Sequence, residues 1–209
     1  MSIEAWLAYV AATAILLIIP GPTILTVISY SMAQRKRVRL PIVAAVALGD
    51  STALALSLLG LGTLLVASAF WFTVVKVAGG LYLLFLGIKM FRAGVSSAEV
   101  LKPAVPESRW RLFGNMWLVT ALNPKGVVFF TAFLPQFINR HGDVPSQLWV
   151  LAITFVVMAT INATLYSVFA STASSFLASR RAQRGFNLAG GSLLSIAGAW
   201  ALLAKRATS

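Results

Sequence analysis

Six apolar runs, each about as long as the twenty residues a helix needs to cross a bilayer, alternate with short clusters of arginine and lysine along this 209-residue chain. They extend approximately from Ala5 to Ala33, Leu40 to Ala67, Phe70 to Phe91, Phe113 to Ile138, Leu148 to Leu177 and Phe186 to Ala204. Backbone in hydrocarbon must satisfy its own hydrogen bonds, so the runs predict helices and an all-α, polytopic membrane fold of six transmembrane spans. Composition supports this solvent: 59% of residues are hydrophobic and 11% charged, against about a quarter charged in soluble domains. Cysteine is absent, which excludes a disulfide scaffold and any thiolate metal site. The longest polar stretch, Gly94 to Arg111 with Pro103 and Pro106, reads as a loop, so the chain reads as a single domain over residues 1–209. The segment before the first run carries no basic residue, unlike a signal peptide, and predicts a retained span.

The net charge of +12, from 17 basic and 5 acidic residues, invites a nucleic-acid reading. That reading needs cations gathered on one solvated face, whereas here they sit between apolar runs; the expected partner is the lipid bilayer and not nucleic acid. Twelve lysines and arginines follow spans one, three and five: Arg35, Lys36, Arg37 and Arg39, then Lys89, Arg92, Lys102, Arg109 and Arg111, then Arg180, Arg181 and Arg184. Arg140, Lys205 and Arg206 lie on the other side. The excess predicts cytoplasmic loops after spans one, three and five and a C-terminus outside. A re-entrant first segment would move the N-terminus inside and leave every loop in place.

The chain also repeats itself. Gly79, Gly80 and Gly87 of span three align with Gly190, Gly191 and Gly198 of span six at an offset of 111 residues. Asp50 of span two meets Asn162 of span five at 112, and Pro22 of span one meets Pro124 of span four at 102. Because each half has an odd number of spans, the second enters the membrane inverted. The expected plan is two inverted three-helix repeats, about 1–94 and about 112–209, joined by a cytoplasmic loop at about 94–111. Secondary transporters recurrently use this plan, with the substrate near the midplane at broken helices. The six glycines would allow close helix contact, within the fold or across a homodimer.

Two segments must break their helices. Pro20-Gly21-Pro22 in span one removes two N–H donors and leaves carbonyls free, which must face protein or a water-filled cavity. Asn123-Pro124-Lys125 does the same in span four and places a lysine about 18 Å along the helix, near mid-bilayer. A charge there costs at least about 2.5 kcal/mol, so Lys125 should pair or face an aqueous path. Asp50, the one acidic residue within a span, is its expected partner and a candidate proton carrier; a permanent salt bridge is the alternative. Asn162 is a candidate ligand or interhelical glue, and Lys76 a substrate contact or a side chain snorkelling to the headgroups. For the prolines the alternative is a structural kink.

Enzyme chemistry finds no support. A lone histidine, His141 in an outer loop, cannot build a His-Glu-x-x-His zinc site, no serine–histidine pair lies within the spans, and one buried carboxylate cannot form a two-aspartate centre. No catalytic residue, metal site or cofactor is expected. No phosphate-binding loop is present, so energy should come from an ion gradient or the substrate's own gradient. A channel, a scaffold, or an exporter of another solute or cation is the alternative.

In these residues, with Gly49-Asp50, Lys76 through Leu83, Gly87, Lys89 and Phe133-Leu134-Pro135-Gln136-Phe137, the chain resembles the lysine exporter (LysE) superfamily of bacterial inner-membrane transporters, in its homoserine/threonine-resistance (RhtB) branch. The resemblance covers the whole chain, more loosely in spans five and six. It implies efflux of amino acids or close derivatives from the cytoplasm, with proton antiport, and assigns the broken-helix motifs to Pro20, Gly21, Pro22, Asn123, Pro124 and Lys125.

Overall fold

The computed structural model describes residues 1–67, 108–139 and 142–203, with positions 74, 77, 80, 81, 84, 85, 87–89, 91 and 92. Among them every regular element is helical. We label α1 (Ile3–Ile18), α2 (Pro22–Gln34), α3 (Arg39–Ala67), α4 (Arg109–Ala121), α5 (Pro124–Val128), α6 (Val144–Val168), α7 (Ala170–Ala178) and α8 (Arg180–Leu203). A 3-10 turn, Arg35–Val38, joins α2 to α3; α5 runs on through a π turn, Phe129–Phe133, into a 3-10 turn, Leu134–Phe137. Arg39–Gly60, Arg109–Phe137 and Val144–Val168 are long and apolar enough to cross a membrane, and α1 with α2, bent by 53°, makes a fourth such element. The helix α8 covers the sixth run as far as Leu203. The third run, Lys76 and Gly79 included, and the loop before α4 lie largely outside the described residues, as does His141 in the loop before α6.

The element starts follow their caps. The Ser2 hydroxyl accepts from Ala5 N–H at the head of α1, and the Ser108 hydroxyl accepts from Arg111 N–H at the head of α4. Asp143 accepts from Ser146 N–H at the head of α6. The Ser146 hydroxyl, and then its N–H, hold the Asp143 carboxyl below its usual range, because both bonds favour the charged form.

Along α6, Gln147, Leu151, Phe155, Ala159, Ala163 and Ser167 are buried at four-residue spacing, while Trp149, Ile153, Val157, Ile161 and Leu165 are exposed on the opposite face. Both faces are apolar, as expected where one meets protein and the other lipid. The fifth run breaks where its sequence has neither proline nor glycine: Phe169 leaves helical geometry at φ −99°, ψ 24°. Tertiary packing supplies the reason. Ala170 of α7 is buried against Ile24 and Ile28 of α2, and Ser31 Oγ donates to Ser167 Oγ at 2.8 Å just before the break.

Two larger apolar cores accompany this small Ile24, Ile28 and Ala170 cluster. One packs Tyr9 and Leu16 of α1 with Leu54 of α3, Phe129, Phe130 and Leu134 beyond α5, and Leu151 and Phe155 of α6; Phe130 and Phe155 meet edge to face at 4.6 Å. The other packs Val27 and Tyr30 of α2 with Val38, Ile42 and Val46, Leu112 and Met116 of α4, and Ala163. At the tightest α3–α4 crossing, a Cβ on Gly49 would lie 2.6 Å from Thr120 Cβ, so only glycine fits.

Candidate functional site

The first helix break exposes its carbonyls because Pro20 and Pro22 have no N–H to offer to residues four earlier, Leu16 and Ile18. Ile19 N–H still bonds Ile15 O at 3.4 Å, which leaves the carbonyls of residues 16 to 19 beyond it. Side chains from the second half of the chain take all four. Lys125 Nζ donates to Leu16 O at 2.5 Å and to Ile19 O at 2.6 Å. Asn162 Nδ2 donates to Leu17 O at 3.1 Å, and Tyr166 Oη donates to Ile18 O at 2.8 Å. Cations and donors belong there, since the carbonyl end of a helix is its negative pole.

The second break is built by the asparagine that precedes its proline. Pro124 pushes Asn123 out of helical geometry, to φ −65°, ψ 111°. Asn123 then acts as N-cap, its Oδ1 accepting from Lys125 N–H at 3.1 Å, with proline at the first helical position where its missing N–H costs nothing. Its amide Nδ2 donates to Thr23 Oγ1 at 2.9 Å, immediately after Pro22. The two breaks therefore meet. Gly21 lies against the Lys125 stem: a Cβ there would lie 3.4 Å from Lys125 Cδ, in ordinary contact with it.

Between the two larger apolar cores these residues line a cavity of about 40 Å³. Leu16, Leu17, Gly21, Thr23, Asp50, Asn123, Lys125 and Asn162 are among its lining residues. At about 10–15 Å³ of space per water centre, it has room for a few waters and is far smaller than a typical ligand pocket. Asp50 and Lys125 line the same cavity. Among the described residues no salt bridge within 4.0 Å joins them, and the Lys125 ammonium is held by the Leu16 and Ile19 carbonyls.

Four of the six glycines that align in the sequence also meet in pairs. A Cβ on Gly198 would lie 2.6 Å from Gly80 O, and one on Gly191 would lie 2.9 Å from Gly87 O. Gly190 is buried on the same helix, α8. Sequence reasoning did not single out Thr23 or Tyr166. Tyr166 lies four residues after Asn162 and so shares its helix face, which is the signal that could have found it; Thr23 directly follows the proline-glycine-proline break.

Among proteins of known sequence, the LysE type translocator family matches residues 14–205. A homoserine/homoserine lactone efflux protein of Salmonella typhimurium is 30% identical over 207 residues, 99% of this chain and 100% of that protein. A leucine efflux protein of Klebsiella pneumoniae is 27% identical over 155 residues, covering 74% of this chain and 73% of the relative. An uncharacterized membrane protein of Vibrio cholerae is 30% identical over 199 residues, 92% of this chain and 94% of the relative. No solved structure matches the chain significantly. With broken membrane helices, a polar cavity between them and a family match over most of its length, the chain belongs to the LysE family of membrane translocators.

Proposed function

We propose that the chain exports amino acids or close derivatives, homoserine-, threonine- or leucine-like neutral ones or basic ones, from the bacterial cytoplasm across the inner membrane by proton antiport with alternating access. The observation that carries this reading is the meeting of the two helix breaks at a cavity lined by one cation, one carboxylate and two amides: Lys125, Asp50, Asn123 and Asn162. A zwitterion needs such a set. Lys125 takes the substrate carboxylate, while Asp50, Asn162 and the carbonyls at the end of α1 take its ammonium group. Asp50, as the carboxylate in the cavity wall, carries the counter-transported proton. The names of the Salmonella and Klebsiella relatives support the substrate class.

The moving parts are two inverted halves. Exchange by the 111-residue offset converts the Gly80–Gly198 contact into Gly191–Gly87, and both contacts are present. Exchange by 102 converts the Gly21–Lys125 contact into Thr23–Asn123, and both are again present. Contacts that swap in this way are what a two-fold axis through the site requires. The arginine-rich ends of α3 and α4 face the cytoplasm in this reading, so the core around Val38, Ile42 and Leu112 closes the inner side and the core around Tyr9, Leu134 and Leu151 the outer.

The test is efflux of a labelled amino-acid panel, leucine and homoserine included, from preloaded proteoliposomes with and without a pH gradient, wild type against Lys125→Ala. We expect saturable efflux accelerated by the gradient and reduced at least about thirtyfold in the variant, the equivalent of about 2 kcal/mol for a buried charged contact. Efflux that is absent across the panel from verified, oriented protein would defeat the reading.

A further inference from the structure

The ammonium of Lys125 does not present itself to a ligand carboxylate in this structure; it occupies two backbone carbonyls at the end of α1, those of Leu16 and Ile19. A primary ammonium on a flexible stem is the same chemical group that an amino-acid substrate carries on its α-carbon. One residue of this seat, Leu16, lines the cavity together with Gly21 and Lys125 itself, and the Lys125 stem passes against the Gly21 backbone. The neighbouring carbonyls of Leu17 and Ile18 are already held by neutral donors, Asn162 and Tyr166, so the Leu16 and Ile19 pair is the one place at the break where a cation sits.

Resting on the amino-acid reading above, we propose that this carbonyl pair is the seat of the substrate's ammonium group and that Lys125 is a tethered occupant which the substrate displaces. With Lys125 in place these carbonyls are satisfied, and the cavity beside them measures about 40 Å³. An arriving zwitterion brings its own ammonium to Leu16 O and Ile19 O and releases Lys125, whose charge then meets the substrate carboxylate. The exchange conserves hydrogen bonds and charge in the seat, one ammonium replacing another. A simple amine can compete for the seat but gives the displaced lysine no carboxylate, so the carrier selects for molecules bearing both groups. Lys125 is in this account a specificity-determining residue as well as an anchor.

The decisive probe is n-butylamine, which has the ammonium and no carboxylate. Its binding to the full chain in lipid nanodiscs is measured by thermal shift for wild type, Lys125→Met and Lys125→Arg. If Lys125 fills the seat at least nine-tenths of the time, its removal tightens apparent amine affinity by about tenfold or more. Lys125→Met should show that gain, and Lys125→Arg, which retains a cation, should not. Should Lys125→Met fail to fold, Lys125→Gln keeps a donor without the charge and gives the same comparison. Amine binding no tighter in the neutral variant than in wild type would overturn the proposal. Wild-type leucine and homoserine efflux, measured in parallel, separates this failure from that of the amino-acid reading, because the amine comparison reads the seat whether or not those substrates move.

Discussion

At the scale of single residues, the end of α1 shows how a membrane protein accommodates a broken helix. Carbonyls orphaned by proline are taken by three side chains from elsewhere in the chain, Lys125, Asn162 and Tyr166. The three have separable consequences. Tyr166 does not line the cavity, whereas Asn162 does. Interhelical hydrogen bonds in membranes are worth about 0.6 kcal/mol on average and at most about 1.7. Tyr166→Phe should therefore lower stability by about 0.5–1.5 kcal/mol in detergent melts while leaving the KM for efflux unchanged. Asn162→Ala should lower stability similarly and also raise KM about fivefold, the equivalent of about 1 kcal/mol. Two variants alike in both readouts would place Asn162 in structure alone. The free carbonyls were legible in the sequence because proline deletes a known donor. Their partners were not, because the register that brings Tyr166 beside Ile18 depends on how α6 packs against α1.

At the scale of elements, the helix breaks have different origins and different legibility. Those at Pro20 and Asn123 are written in local chemistry, and both occur within the expected segments. The break at Phe169 carries no such signature; it arises where α7 turns in against α2, and a one-dimensional pattern of apolar residues does not contain that contact. The third expected span lies largely outside the described residues. Close approach of elements is likewise set by single positions. Gly49, next to Asp50, sits where a Cβ would strike Thr120, whereas one on Gly114 would meet nothing within 4 Å. Gly49→Ala should cost about 1–3 kcal/mol by overpacking and shift Asp50 with it, and Gly114→Ala should leave stability unchanged. Thermal melts of the two variants in the same detergent check the contrast; equal melting temperatures would mean that α3 and α4 are not packed at Gly49.

At the scale of the whole molecule, a small polar cavity lies between two larger apolar cores. A zwitterion in such a cavity must be released by loosening one core at a time, because opening both would make a pore and opening neither would make a trap. The central claim is that this cavity is where the exported amino acid binds. The absence of cysteine from the chain makes one measurement direct. A cysteine at Ala159, a buried residue of the cavity wall on α6, is reacted with a small thiol reagent in an export-competent variant, at increasing concentrations of the exported amino acid. The account predicts that labelling slows, with half-protection at the KM for efflux. Labelling that is indifferent to a substrate which the same protein exports would contradict it, and would move the binding site elsewhere in the molecule.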